Sequence, residues 1–210
     1  MKKTLLIAVI AIASVVFCGC EQHNMWDEGL PEMEHVYYVG FHKTDVNTNY
    51  LSYEVAKSGA ARWRFGGNAT SGTWVATDEA WVATVPFQFH SERERTYDAV
   101  TYFWITNDGT NALTPGSDFM VTLENGATLT PNAEGAYSLK WRQTKKGIQN
   151  VKIKRFDTSP NGALKVNMFN PAKGAPEVAD LSTTVNNKTA EYEVRCLTFD
   201  NNRVTVTFKD

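Results

Sequence analysis

Residues 81–89 read Trp81-Val82-Ala83-Thr84-Val85-Pro86-Phe87-Gln88-Phe89. In an extended chain Trp81, Ala83, Val85, Phe87 and Phe89 share one side, because strand side chains repeat every two residues. Such a segment has an apolar face to bury and cannot be a helix. The same pattern governs everything from residue 35 onward. Gly, Pro, Asn and Asp interrupt the chain about every 8–12 residues, the spacing of short strands. Between them lie alternating runs at 36–41, 50–56, 62–65, 74–77, 81–89, 100–106, 119–123, 137–141, 151–156, 164–169, 191–199 and 203–209. No window of about a dozen residues keeps a helical period. The expected fold is an all-β antiparallel sandwich with almost no helix.

Two details refine this expectation. Pro86 has no N–H to give to a ladder, which predicts an edge strand or a bulge there. Near the C-terminus Val204, Val206 and Phe208 point one way and Arg203, Thr205, Thr207 and Lys209 the other, following the turn residues Asp200-Asn201-Asn202. This predicts a hairpin over 191–209 with an uncapped edge. The organisation expected is a sandwich over 35–170 with 171–210 adding a hairpin or a small second sheet. A split near Asn125 into two sandwiches is the alternative.

The first 34 residues obey other rules. The basic pair Lys2-Lys3 precedes about 13 apolar residues, the length of a secretory h-region, whereas a membrane-spanning helix needs about 20. Residues 1–19 therefore read as a signal. Gly19-Cys20 resembles a bacterial lipoprotein box, which implies cleavage before Cys20, lipidation of its thiol and a membrane anchor of two or more acyl chains. An ordinary signal peptide is the alternative, but no A-x-A-like site stands near Cys20. Residues 20–34 carry Asp27, Glu28, Glu32 and Glu34 with Gly29 and Pro31 and no apolar period, as a tether does. An acidic segment behind a lipidated cysteine resembles the export signal of Bacteroidetes surface lipoproteins, and implies exposure at the outer membrane.

Charge and cysteine content exclude several classes. Of 21 Lys and Arg the signal takes Lys2 and Lys3, leaving 19 against 23 acidic residues, so a mature chain carries about −4 and is not built to bind nucleic acid. The cysteines are Cys18, Cys20 and Cys196, so an exported chain folds without an internal disulfide.

Residues 100–131 carry a more specific pattern: a strand VTYFWIT, a turn NDGTNALTPGSDF, then GATLTP. This resembles Calx-β and related Ig-like sandwich domains, with Thr106, Asp108, Gly109, Thr110, Gly116, Asp118, Phe119 and Gly126 at the motif positions. The resemblance implies an Ig-like sandwich. It does not carry over calcium: where calcium-binding Calx-β domains place acidic residues, this chain reads Lys140-Trp141-Arg142-Gln143-Thr144-Lys145-Lys146. Calcium needs six to eight oxygen ligands with several carboxylates among them, and Asp118 reads as a turn cap. The lipobox, acidic tether and aromatic-rich β domain together resemble the accessory lipoproteins of SusC/SusD-type uptake systems. That organisation implies a transporter partner and a glycan or peptide ligand.

No catalytic group emerges. The histidines His23, His35, His42 and His90 are scattered without metal-ligand spacing. Glu92 and Glu94 alternate with Arg93 and Arg95, which suits a solvated turn and not a paired-carboxylate acid and base. No cofactor motif is present. Candidate ligand-binding residues are Trp63, Arg64, Asn68 and Trp74, where flat rings could stack on sugar C–H faces and Arg or Asn bond hydroxyls. In alternating strands at least two of Trp63, Phe65, Trp74 and Trp81 belong to the core. Trp74, preceded by Ser71-Gly72-Thr73, is the one expected at the surface, and Trp81 is expected in the core. The function expected is non-catalytic nutrient capture at the cell surface. The alternative is a structural or adhesive scaffold docking through the strand edge of the 191–209 hairpin.

Overall fold

The computed structural model describes residues 35–42, 50–66, 74–196 and 202–210, and His35–Asp210 form one compact unit. Thirteen strands are found among these residues: β1 (Val36–Phe41), β2 (Tyr50–Ala56), β3 (Ala60–Gly66), β4 (Val75–Ala80), β5 (Val82–His90), β6 (Ala99–Asn107), β7 (Phe119–Leu123), β8 (Ala136–Trp141), β9 (Lys146–Arg155), β10 (Gly162–Asn167), β11 (Val185–Lys188), β12 (Glu193–Cys196) and β13 (Arg203–Lys209). They form a six-stranded sheet ordered β11-β12-β1-β5-β9-β7 and a seven-stranded sheet ordered β4-β3-β2-β13-β10-β6-β8. The chain is an all-β sandwich. Two short 3₁₀ turns, Pro171–Lys173 and Leu181–Thr184, are the helical pieces among the described residues.

Alternation builds the core as the sequence implied. Ala83, Val85, Phe87 and Phe89 of β5 are wholly buried, as are Val204, Val206 and Phe208 of β13. Aromatic contacts tie strands of one sheet to strands of the other: Phe87 to Phe103 at 4.8 Å between ring centroids, Phe89 to Trp141 at 5.2 Å and Phe119 to Phe208 at 6.3 Å. Arg155 is buried among them, donating to the carbonyls of Val55, Lys209 and Ser159 at 3.1, 2.7 and 3.0 Å.

Four expectations are corrected. The sheets are mixed: β1 pairs with β12 and β2 pairs with β13 in parallel. A parallel pair has no hairpin connection, so local pattern cannot reveal it. Next, residues 191–209 do not form a hairpin. β12 lies between β11 and β1 in one sheet, and β13 lies between β2 and β10 in the other. Both strands are interior, so the edge expected for docking is absent from them. Residues 171–210 supply strands to both sheets.

The third correction concerns Pro86. Its strand is not at an edge, because β5 lies between β1 and β9. The register with β1 ends at the Phe41–Phe87 pair, and the His42 N–H then bonds the Pro86 carbonyl at 2.8 Å. The missing N–H thus faces the place where β1 stops, and proline is tolerated by a local edge inside an interior strand. The fourth is Trp81, which is half-buried and not in the core. It alone links β4 of one sheet to β5 of the other, with φ of +68°. The chain turns between sheets at this residue, and the apolar face of β5 begins after it.

Candidate functional site

The residues singled out around 63–74 separate onto two faces. In β3, Ala61 is buried and Trp63 packs against the core, which sends Arg62 and Arg64 to the outer face. Trp74 meets them there: the Arg62 and Arg64 guanidiniums lie 5.0 and 4.5 Å from its ring centroid. Arg62 is also paired with Glu54, which takes Lys209 Nζ at 2.8 Å. Burial pushes the Glu54 carboxyl up, but bonds from Lys209 and Arg62 outweigh it and hold the group below the ordinary carboxylate value. Arg64 and Trp74 are thus brought together, and Trp63 is not with them. Asn68 and Cys20 lie outside the described residues. The ring of Trp74 carries two cations, so it is not the bare stacking platform expected.

A different part of the same sheet is concave. On β6 the residues Thr101 and Phe103 are buried toward the core, and Tyr102 and Trp104 alternate with them on the outer face. Their rings lie 6.3 Å apart. With Phe169 they line a groove of about 390 Å³, walled by the turn at 132–136 and by both 3₁₀ turns.

The walls are held by short polar side chains. Asn132 Oδ1 accepts from the N–H groups of Glu134 and Ala136 at 3.0 and 2.9 Å. Asn170 Oδ1 caps Pro171–Lys173 by accepting from Ala172 N at 2.9 Å, and Gly174, at φ +90°, lets the chain leave that turn. Asp180 Oδ1 caps Leu181–Thr184 by accepting from Ser182 N at 3.0 Å. The Ser182 hydroxyl and N–H hold the Asp180 carboxyl below its ordinary range.

Those atoms are occupied, and three other polar groups of the groove are not. Among the described residues the Tyr102 hydroxyl, the Glu134 carboxylate and the Lys173 ammonium have no hydrogen-bond or ion-pair partner. Trp104 Nε1 is also a donor without an acceptor, but it is buried within the protein and is not open to the groove. Aromatic faces beside free donors and acceptors suit a ligand carrying both C–H faces and hydroxyls. Sequence reading passed over this groove although its signal was present. The run Thr101-Tyr102-Phe103-Trp104-Ile105 is bulky on both faces, and an antiparallel strand with one solvated face should not be.

The remaining polar candidates have structural employment. Asp118 Oδ2 accepts from Thr114 N at 2.7 Å, so it caps its own loop, and Asp108 pairs with Lys165 at 2.7 Å. No group of three or more metal-ligating side chains occurs among the described residues. The 91–95 segment is a loop between β5 and β6 with Arg93 and Glu94 exposed, and its two ends, Ser91 and Arg95, are buried. Arg95 lies 4.5 Å from the Phe89 ring centroid and 5.1 Å from that of Tyr37, and Nη2 donates to the carbonyls of Trp141 and Arg142 at 3.3 Å.

No family model matches the chain, and no curated protein matches it. Among solved structures it is similar to the N-terminal domain of PorA, at 11% identity, covering 82% of this chain and 96% of that one, with a TM-score of 0.29.

Proposed function

We propose that this protein is a non-catalytic outer-membrane surface lipoprotein, anchored through Cys20, that assists capture of glycan or peptide nutrients for a SusC/SusD-type uptake system. In this reading the Tyr102–Trp104–Phe169 groove holds a glycan. One observation carries it: a concavity of about 390 Å³ is lined by three aromatic side chains and by three unpartnered polar groups, on Tyr102, Glu134 and Lys173. Apolar lining with a few convergent polar groups is the usual composition of a small-molecule site. Glu134 is the sole carboxylate in the lining, so the groove offers no acid and base pair for glycoside hydrolysis. The anchor rests on the sequence resemblance at Gly19-Cys20.

The groove is tested by a glycan array followed by titration of Tyr102→Ala. Loss of about 1–3 kcal/mol of affinity, the range of an interface hot spot, with unchanged thermal stability is expected. Absence of any bound glycan on the array removes this reading. Metabolic labelling with a palmitate analogue tests the anchor, and a wild-type protein that stays unlabelled removes it.

A further inference from the structure

We infer that the glycan is acidic, and that it extends from the groove across the outer face of the seven-stranded sheet to the Arg64–Trp74 stack. The inference rests on the glycan reading of the groove and adds the ligand's charge and path.

Strand register puts these positions on one surface. Arg64, Ser52, Thr205, Lys165 and Thr106 lie side by side across β3, β2, β13, β10 and β6. The next outward row contains Arg203, Asn167 and Trp104. The groove floor and Arg64 therefore share a face, with Arg203 between them. Arg64 and Arg203 are two strands and two residues apart, about 10 Å across and about 7 Å along. The intervening Ser52 and Thr205 are short, so a chain can lie flat between the cations.

The charge on this face is selective. Arg62 and Lys209 share the single Glu54 carboxylate, and Lys165 is paired with Asp108. Three cations have no carboxylate among the described residues: Lys173 at the groove wall, Arg203 above the Phe169 ring at 5.3 Å, and Arg64 above Trp74 at 4.5 Å. Two of the three stack on aromatic rings, which fixes the guanidinium plane and leaves its edge free for a carboxylate or sulfate. The whole chain carries a net charge of −2, so a polyanion gains nothing from the protein's average field. On this face the attraction comes from this line of cations. Glu134 opposes it at the far wall and would meet a hydroxyl.

The test compares charged and neutral polymers of one skeleton: polygalacturonate against its methyl ester, and dextran sulfate against dextran, with poly-L-glutamate alongside. At least one charged polysaccharide should bind about tenfold or more tighter than its neutral counterpart, the scale of one charge-assisted hydrogen bond. Arg203→Gln, and Arg64→Gln with Arg203→Gln, should remove most of that preference. The single variant at an exposed position serves if the double one does not fold. Equal or tighter binding of the neutral polymers overturns the inference and leaves the glycan reading standing. Polyglutamate binding tighter than the polysaccharides also overturns it, as does a preference that survives both variants. Binding of none of the four polysaccharides, with a blank glycan array, removes inference and reading together.

Discussion

Asn186 treats Tyr102 as a neighbouring strand would. Its Nδ2 donates to the Tyr102 carbonyl at 2.7 Å and its Oδ1 accepts from the Tyr102 N–H at 2.8 Å. The side-chain amide of β11 thus replaces a peptide unit at a position where β6 has run past the end of β10, whose register with β6 spans Trp104 to Asn107. Val100 is satisfied in the same way: its N–H bonds the Tyr192 hydroxyl at 2.9 Å and its carbonyl takes Asn187 Nδ2 at 2.8 Å. These side chains close the corner between the two sheets and fix the floor of the groove.

Asn186→Leu should therefore destabilise the protein well beyond a surface substitution. It leaves the Tyr102 N–H and carbonyl unpaired, and also the Met168 carbonyl that Asn186 Nδ2 reaches at 2.6 Å. Each buried partner left unpaired costs about 1–3 kcal/mol. A urea midpoint within error of wild type would show that the amide bridge contributes nothing.

Trp141 and Trp74 should respond differently to truncation. Trp141 is fully buried and its Nε1 donates to Thr101 Oγ1 at 2.9 Å, so Trp141→Ala should cost about 3–5 kcal/mol. Trp74→Ala loses two stacked guanidiniums, each worth about 0.5–1 kcal/mol at a partly exposed site. Chemical denaturation of both variants separates these outcomes, and equal losses would refute the surface placement of Trp74.

Cys196 should be inert in the folded protein. It is 2% exposed, and burial pushes its thiol up to about 12. The thiolate is the reactive form, so iodoacetamide at pH 8 should leave Cys196 unmodified until denaturant is added. Peptide mapping by mass spectrometry reads this residue separately from any other cysteine. Labelling at the same rate in native and unfolded protein would contradict the buried position.

Glu54 should stabilise the fold near neutrality and lose that contribution in acid. Its folded value lies below the ordinary 4.5 despite burial, because Lys209 and Arg62 bond the charged form. A carboxyl depressed by folding contributes stability that is fully present above 4.5 and is lost as pH falls through the folded value. Wild type and Glu54→Gln should thus differ most near neutrality and converge on acidification, as the pH falls through the folded value. Urea midpoints measured across that range test this, and a gap that widens on acidification would reverse the sign.

Strand positions were legible in the sequence because alternation is a local property. The runs at 36–41, 50–56, 119–123 and 203–209 coincide with β1, β2, β7 and β13, and the buried faces of β5 and β13 are those the period of two selects, except at Trp81. β11 was not legible. Val185-Asn186-Asn187-Lys188 has the composition of a turn, and it is extended because two of its side chains are bonded to β6, more than 80 residues away. The groove was not read from the sequence: Tyr102 and Trp104 stand two apart in one strand run, but Phe169, Lys173 and the 3₁₀ walls reach them through folding alone.

The chain by itself determined an all-β protein and the pairing of apolar with polar faces, since each follows from residue type and short spacing. The tertiary structure decided which strands meet. Parallel partners β1 with β12 and β2 with β13 join the beginning of the compact unit to its end, and no local pattern encodes a contact over that separation. It also decided the meaning of the tryptophans, where Trp63 turns inward, Trp74 lies beneath two guanidiniums and Trp81 turns the chain from one sheet to the other. An aromatic residue has the same composition in each role, and only its neighbours in space distinguish them.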